Sequence, residues 1–117
     1  ILTFDKGKNY EYIKSDMPPI GIVKYFTESM VKSNTINLKD KTFVVYTDGV
    51  TEGYLKNGEE LGAEGVQNII NGIENINPKN IVLGIEKELN WGAEKLRDDI
   101  TCMAINIENT ELIKKIK

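Results

Sequence analysis

Two segments of the chain combine β-branched, aromatic and aliphatic residues in a way that is typical of core strands. Residues 42–47 (TFVVYT) have apolar side chains at both odd and even positions, which predicts a strand buried on both faces. Residues 100–107 (ITCMAINI) predict a second core strand. Residues 1–4 and 9–14 predict two shorter strands, joined by a turn over residues 5–8 (DKGK). The pattern therefore predicts strands near both ends of the chain.

A helical periodicity occupies the region between the two core strands. We expect one helix over residues 63–74 and a second over residues 78–89. The second helix has Asn77 in the N-cap position and Pro78 in the first turn, where a missing backbone N–H costs nothing. The apolar positions of the two helices are Val66, Ile69, Ile70 and Ile73, and Ile81, Val82, Ile85 and Leu89.

The remaining segments have weaker patterns. Residues 17–21 (MPPIG) exclude a helix or a central strand, because proline cannot donate a backbone hydrogen bond. Residues 25–38 alternate loosely between apolar and polar, which predicts one or two strands. Residues 51–62 are polar and contain glycine, so we expect a loop.

Composition narrows the class of protein. The chain has 117 residues, of which 40% are hydrophobic and 28% are charged, as in a soluble globular domain or a piece of one. No stretch approaches the roughly 20 apolar residues of a membrane-spanning helix. The first residues resemble no signal peptide and lack an initiator Met, so we expect the segment to start at a cut or an artificial boundary.

The absence of histidine limits the chemistry most. It excludes Ser-His-Asp and Cys-His catalysis and every His-ligated metal site. Cys102 is the single cysteine, so it cannot form an internal disulfide or a thiolate cluster. We expect Cys102 to pack as a buried small hydrophobic residue. We also expect a cytoplasmic protein, since a single cysteine is compatible with a reducing compartment. The net charge of −3 provides no basic surface for nucleic acid. Chemistry must therefore rest on carboxylates, Lys and Arg, hydroxyls or backbone groups.

Acidic residues stand at the ends of both predicted core strands. Asp48 directly follows the first of these strands, and Asp98 and Asp99 precede the second. If the two strands pair antiparallel, these carboxylates converge at one end of the sheet. Clustered carboxylates repel each other unless a cation neutralises them, and oxygen-only ligation favours Mg²⁺ or Mn²⁺. Asp-Gly after a strand is also a common turn, and Asp-Asp before a strand a common solvated loop, so the residues alone leave both interpretations open.

Four ordered motifs resemble those of the PPM/PP2C-type serine/threonine phosphatases, in particular the bacterial SpoIIE/RsbU-like branch. Residues 38–52 (LKDKTFVVYTDGVTE) resemble the signature GD-(apolar)-YTDG-V-T/I-E. Residues 17–21 (MPPIG) resemble the element PLG(I/V), and residues 58–62 (GEELG) are similar to G-x-x-(F/Y)-G. Residues 97–101 (RDDIT) resemble the ending DD(I/M)T. Four motifs in the family order across about residues 1–107 make the match specific.

The resemblance implies an α+β fold, a PP2C-like antiparallel β-sandwich flanked by helices. It also implies a binuclear Mn²⁺ or Mg²⁺ centre at one end of the sandwich, whose bridging water attacks a phosphoserine or phosphothreonine directly. Asp48 and Asp98 match the family's metal-ligating aspartates. Asp99, Gly49 and Thr101 are expected to support these ligands without binding metal themselves. No side chain is expected to act as a catalytic nucleophile or base.

The chain also departs from the family pattern. The N-terminal motifs D-x-x-G and DGHG, which supply the other metal ligands including the bridging one, are missing. Residues 1–108 therefore resemble the C-terminal part of a SpoIIE-like phosphatase domain, and residues 109–117 form a polar tail. Lys39 replaces the glycine of the family's L-x-x-GD, which changes a turn and no catalytic group.

Two functions of different classes follow from these observations. The first is a metal-dependent serine/threonine phosphatase in a longer parent protein, acting on a phosphorylated anti-anti-sigma-type regulator, with the segment alone inactive. The alternative is a non-catalytic interaction or regulatory module derived from such a domain. The expected partners are the phosphoprotein substrate, the missing N-terminal half and a second copy of the chain; neither nucleic acid nor a membrane is expected.

Overall fold

The computed structural model describes residues 1–90, 92 and 99–106, and these residues form a four-stranded antiparallel sheet with helices. The fold is α+β, as predicted, and is compatible with part of a PP2C-like domain. The strands are β1 (Leu2–Asp5), β2 (Tyr10–Tyr12), β3 (Lys41–Tyr46) and β4 (Cys102–Asn106). The helices are α1 (Asp48–Thr51), α2 (Gly62–Asn71) and α3 (Pro78–Glu88), and a short 3₁₀ turn covers Glu28–Met30. Asp98 and the tail 109–117 lie outside the described residues.

The spatial order of the strands is β2-β1-β3-β4, so the two predicted core strands are neighbours. β3 and β4 pair antiparallel, with Tyr46 opposite Cys102 at one end and Thr42 opposite Asn106 at the other. The antiparallel pairing assumed in the sequence analysis is therefore confirmed. It places the end of β3 beside the start of β4.

Helices α2 and α3 cover one face of the sheet. Side chains alternate between faces along a strand, so Leu2, Phe4 and Val44 all lie on this face. These three residues form one buried cluster with residues of the helices and of the loops next to the helices. The cluster comprises Leu2, Phe4, Val44, Val50, Leu61, Val66, Ile70, Ile81, Ile85 and Leu89. The connection between β3 and β4 thus returns across the sheet face and closes its core.

The start of α3 follows the sequence prediction in detail. The Asn77 side-chain oxygen accepts a hydrogen bond from the Asn80 backbone N–H at 2.9 Å, and Pro78 is the first helical residue. This cap satisfies one of the orphan donors of the first turn. Among the described residues, no helix is both long and apolar enough to cross a membrane.

The opposite face of the sheet is apolar and partly open. Phe43 is buried, whereas Met103 is 51% exposed and Ile105 is 41% exposed. Thr3 also lies on this face; it is buried, and its hydroxyl has no hydrogen-bond partner in the part of the chain that the structure describes. The prediction that β3 is buried on both faces thus holds for its first half, since Val45 and Tyr46 are only partly buried.

The prediction of strands over residues 25–38 is wrong. The structure has only the 3₁₀ turn in this segment, and several of its apolar side chains are exposed. Tyr25 is 73% exposed and Val31 is 54% exposed. Strand preference expresses packing against a neighbouring strand, and within the described residues no strand pairs with this segment. Loose alternation without a hydrogen-bonding neighbour does not suffice for a strand.

Candidate functional site

Asp48 lies where the chain leaves the sheet. β3 ends at Tyr46, and Asp48 is the first residue of the single helical turn α1. The Asp48 backbone carbonyl accepts hydrogen bonds from the Glu52 N–H at 2.8 Å and the Thr51 hydroxyl at 3.0 Å. These bonds use the backbone and leave the carboxylate, on an exposed residue, available to a ligand. The sequence pattern predicted the end of the strand here and no helix, whereas the structure has a single helical turn.

The residues after Asp48 anchor this turn in the core. Gly49 and Val50 are both buried, and Val50 belongs to the core cluster. Gly53 packs closely as well, since a Cβ there would lie 2.6 Å from Leu89 Cδ2 and 3.0 Å from the Gly49 carbonyl oxygen. The aspartate is therefore carried by a turn whose backbone has little room to move, which is the support that a ligand-binding side chain needs.

The segment that precedes β4 lies beside the end of β3. The Thr47 backbone N–H donates to the Thr101 carbonyl at 3.0 Å, and the Thr101 N–H donates to the Thr47 hydroxyl at 3.1 Å. The same hydroxyl donates to the Asp99 carbonyl at 3.1 Å. Two of the predicted supporting residues, Asp99 and Thr101, are thus bonded to the residue that directly precedes Asp48. The structure brings these backbones together as the antiparallel pairing requires.

Only one of the two predicted metal ligands belongs to the described residues. They include Asp48, whereas the second predicted ligand, Asp98, lies outside them. Within residues 1–90, 92 and 99–106, no three Asp, Glu, His or Cys residues group closely enough to hold a metal ion. The chemistry of the donors suits a hard cation such as Mg²⁺ or Mn²⁺, because only oxygen ligands are offered. Their number does not complete a coordination sphere.

Cys102 and Tyr46 face each other at this end of the sheet but do not suit nucleophilic catalysis. Burial raises the pKa of the Cys102 thiol. Burial is also the main cause that raises the pKa of Tyr46. Both groups are therefore neutral near pH 7, and a neutral thiol is a poor nucleophile. Cys102 packs against the core, as predicted for a small hydrophobic residue, but it is half-buried where full burial was predicted.

Comparison with known proteins decides the family. A scan against protein-family models matched residues 1–108 to the family described as stage II sporulation protein E (SpoIIE). The chain belongs to the SpoIIE family. This family is related to the PPM phosphatases, so the resemblance of the four motifs is confirmed. Searches of curated proteins and of solved structures found no match to this SpoIIE-family chain.

The hydrogen bonds of the Thr47 hydroxyl to Asp99 and Thr101 were not predicted from the sequence. Thr47 stands inside the quoted motif of the SpoIIE-family chain, but no function was assigned to it. The available signal was a hydroxyl residue directly after a core strand and before a tight turn. Serine and threonine at such positions often bond to nearby backbone groups in place of a regular ladder.

Proposed function

We propose that this chain forms part of a metal-dependent protein serine/threonine phosphatase. The observation that carries the proposal is the meeting of the end of β3 with the start of β4, which places the Asp48 turn beside Asp99 and Thr101. Membership of the SpoIIE family supports the same reaction class. In this proposal the end of the sheet contributes carboxylates to a site for Mn²⁺ or Mg²⁺.

Each residue of the site has a proposed task. Asp48 and Asp98 would hold the cation through their carboxylates, while buried Gly49 holds the turn and Thr101 fixes the adjacent segment by backbone bonds. A bound divalent cation lowers the pKa of a water ligand enough to supply a nucleophile near neutral pH. With such a cation bound, the site would be suited to hydrolysis of a phosphate ester, which yields a serine or threonine hydroxyl and inorganic phosphate. A chain without histidine can support this chemistry, because no side-chain base is required.

The proposed site needs further ligands. Two aspartates cannot satisfy two octahedral ions, each of which takes about six ligands. We propose that the others come from an N-terminal half of the domain that lies in a longer parent protein. The proposed substrate is a phosphorylated anti-anti-sigma-type regulator in the cytoplasm, a choice that rests on the SpoIIE/RsbU-like resemblance.

The test compares the isolated chain with a longer protein that contains it and the upstream ligand motifs. With millimolar Mn²⁺ and a phosphoserine protein substrate, we expect phosphate release from the longer protein and none above background from the isolated chain. EDTA should abolish the activity, and added Mn²⁺ should restore it. Robust turnover by the isolated chain would contradict the proposal that its metal site is incomplete. Failure of the longer protein to release phosphate would contradict the phosphatase proposal.

A second candidate function is a non-catalytic interaction module, and the exposed apolar surface favours it. Ile20 is 91% exposed and Ile22 is 74% exposed, and the open face of the sheet adds Met103 and Ile105. Adjacent exposed apolar side chains on one sheet face, such as Met103 and Ile105, are a common feature of interaction surfaces. β4 is also an edge strand among the described residues, and open edges promote pairing with another chain.

We therefore expect the isolated chain to associate with itself at micromolar concentration. Sedimentation velocity between about 5 and 200 μM should show a sedimentation coefficient that rises with concentration. Replacing Met103 and Ile105 together by threonine keeps strand preference while removing apolar surface, and should lower the association. A clean monomer with one cooperative unfolding transition would show instead that the segment is a self-sufficient domain.

A further inference from the structure

The β3–β4 ladder changes its bonding partners at Thr47. The regular register ends at the pair Tyr46 and Cys102, and the next pair would be Thr47 and Thr101. The chain turns into α1 after Thr47, and the Thr47 carbonyl accepts from the Val50 N–H at 3.0 Å within that turn. The Thr101 N–H donates instead to the Thr47 side-chain hydroxyl at 3.1 Å. The hydroxyl thus replaces a backbone carbonyl in the ladder.

The same hydroxyl also donates a hydrogen bond, to the Asp99 carbonyl at 3.1 Å. One oxygen therefore joins two backbone groups of the segment before β4, with Asp99 accepting and Thr101 donating. A hydroxyl can accept and donate at once, whereas valine offers neither function and lysine offers only donors. Among the small side chains, the hydroxyl of threonine or serine is best suited to form this pair of bonds.

We propose that Thr47 is a positioning residue that holds the segment carrying Asp99 and Thr101 at a fixed distance from Asp48. Asp98, the second proposed ligand, directly precedes this segment in the sequence. The proposal rests on the proposed function only where it concerns a cation. Carboxylates share a cation only when they are held within about 0.5 Å of the productive geometry. Thr47 binds no ligand itself and acts through the backbone of its neighbours.

The first test measures amide hydrogen exchange by NMR in the isolated chain. Thr47→Val keeps the shape of the side chain but removes both hydrogen bonds, and Thr47→Ser keeps the hydroxyl. We expect the Thr101 amide to exchange about 5–10-fold faster in Thr47→Val, as loss of one typical hydrogen bond implies. The backbone N–H of residue 47 donates to the Thr101 carbonyl and does not involve the side chain, so its own exchange should change less. Thr47→Ser should restore the protection of Thr101.

Thr3→Val is the matched control. It removes a hydroxyl from a buried threonine of the same sheet that has no hydrogen-bond partner within the described part of the chain. We expect the exchange of the Thr101 amide to be unchanged in Thr3→Val. Equal exchange of Thr101 in the wild-type chain and in Thr47→Val would overturn the proposal.

The second test separates this proposal from the proposed function. Paramagnetic Mn²⁺ should broaden the amide signals of residues 48–51 and 99–101 of the wild-type chain at millimolar concentration. The Mn²⁺ concentration at half-broadening should rise several-fold in Thr47→Val and return in Thr47→Ser, because a positioning role alters affinity where a merely structural role does not. An unchanged midpoint in Thr47→Val would overturn the proposal. A third outcome is that the wild-type chain shows no broadening while the Thr101 amide still exchanges faster in Thr47→Val. That result would support the positioning role of Thr47 and contradict cation binding by this chain.

Discussion

If the proposed function holds, replacing Asp48 by asparagine in a longer protein with the upstream ligand motifs should lower Mn²⁺-dependent turnover by at least about 100-fold. Mutation of a residue that only supports a metal ligand already lowers metal affinity or activity by about 10–100-fold. Asparagine has nearly the same size but no negative charge, so a divalent cation loses most of its attraction to this position. The fold should survive, because Asp48 is exposed and α1 is bonded through its backbone carbonyl. Phosphate release at saturating substrate, measured across a Mn²⁺ titration, should show a loss that excess Mn²⁺ recovers only in part.

Asp40→Asn is the matched control for this experiment. Asp40 is an exposed aspartate directly before β3, at the end of the strand opposite to Asp48. Its φ of 58° lies in the left-handed region, which asparagine tolerates well. Turnover should change by less than about 2-fold, because Asp40 lies at the other end of the strand and surface substitutions usually change stability by less than about 0.5 kcal/mol. Equal activity of Asp48→Asn and Asp40→Asn would exclude Asp48 as a metal ligand.

Much of the fold could be predicted because its strongest elements have strong periodicity. The helical spacing in α2 and α3 reflects a face that packs on the sheet, and the observed helices begin and end within three residues of the prediction. The antiparallel pairing of β3 and β4 follows from two apolar strands separated by a pair of helices that covers one face. These features arise from burial, which leaves a regular mark on the sequence.

The features that could not be predicted depend on local backbone geometry or on absent neighbours. α1 is a single turn and too short for any periodicity to appear. Residues 25–38 have the composition of strands, but no described strand lies beside them to form a ladder. The role of Thr47 depends on the Thr47 carbonyl being engaged by Val50, a detail that only coordinates reveal.

The sequence predicted where the candidate site lies in the sheet, but not its ligand geometry. The sequence placed Asp48 at the same end of the sheet as the start of β4, and Thr47 bonds to Asp99 and Thr101 there. The identity of the second ligand, Asp98, and the binding of a cation stay predictions. Strand pairing is a regular property of a sheet, whereas ligand geometry depends on the individual rotamers and turns around it.

Replacing Ile81 by alanine should strongly lower the free energy of unfolding. Ile81 is fully buried in the cluster that joins α3 to the sheet. Removing most of its side chain loses buried apolar contacts and leaves a cavity, which typically costs about 2–5 kcal/mol of unfolding free energy. Small domains are stable by only about 5–15 kcal/mol, so much of the native population could be lost at moderate temperature. Urea unfolding followed by far-UV circular dichroism measures the change.

Leu83→Ala in the same helix provides the control, because Leu83 is 47% exposed. It changes a helix residue of similar size and similar intrinsic preference, so a loss below about 1 kcal/mol is expected. Equal small losses for both variants would mean that α3 is not held against the sheet. A large loss confined to Ile81→Ala would show that α3 closes the core. The same helix leads to Leu89, which packs against Gly53 beside the Asp48 turn, so α3 also supports that turn.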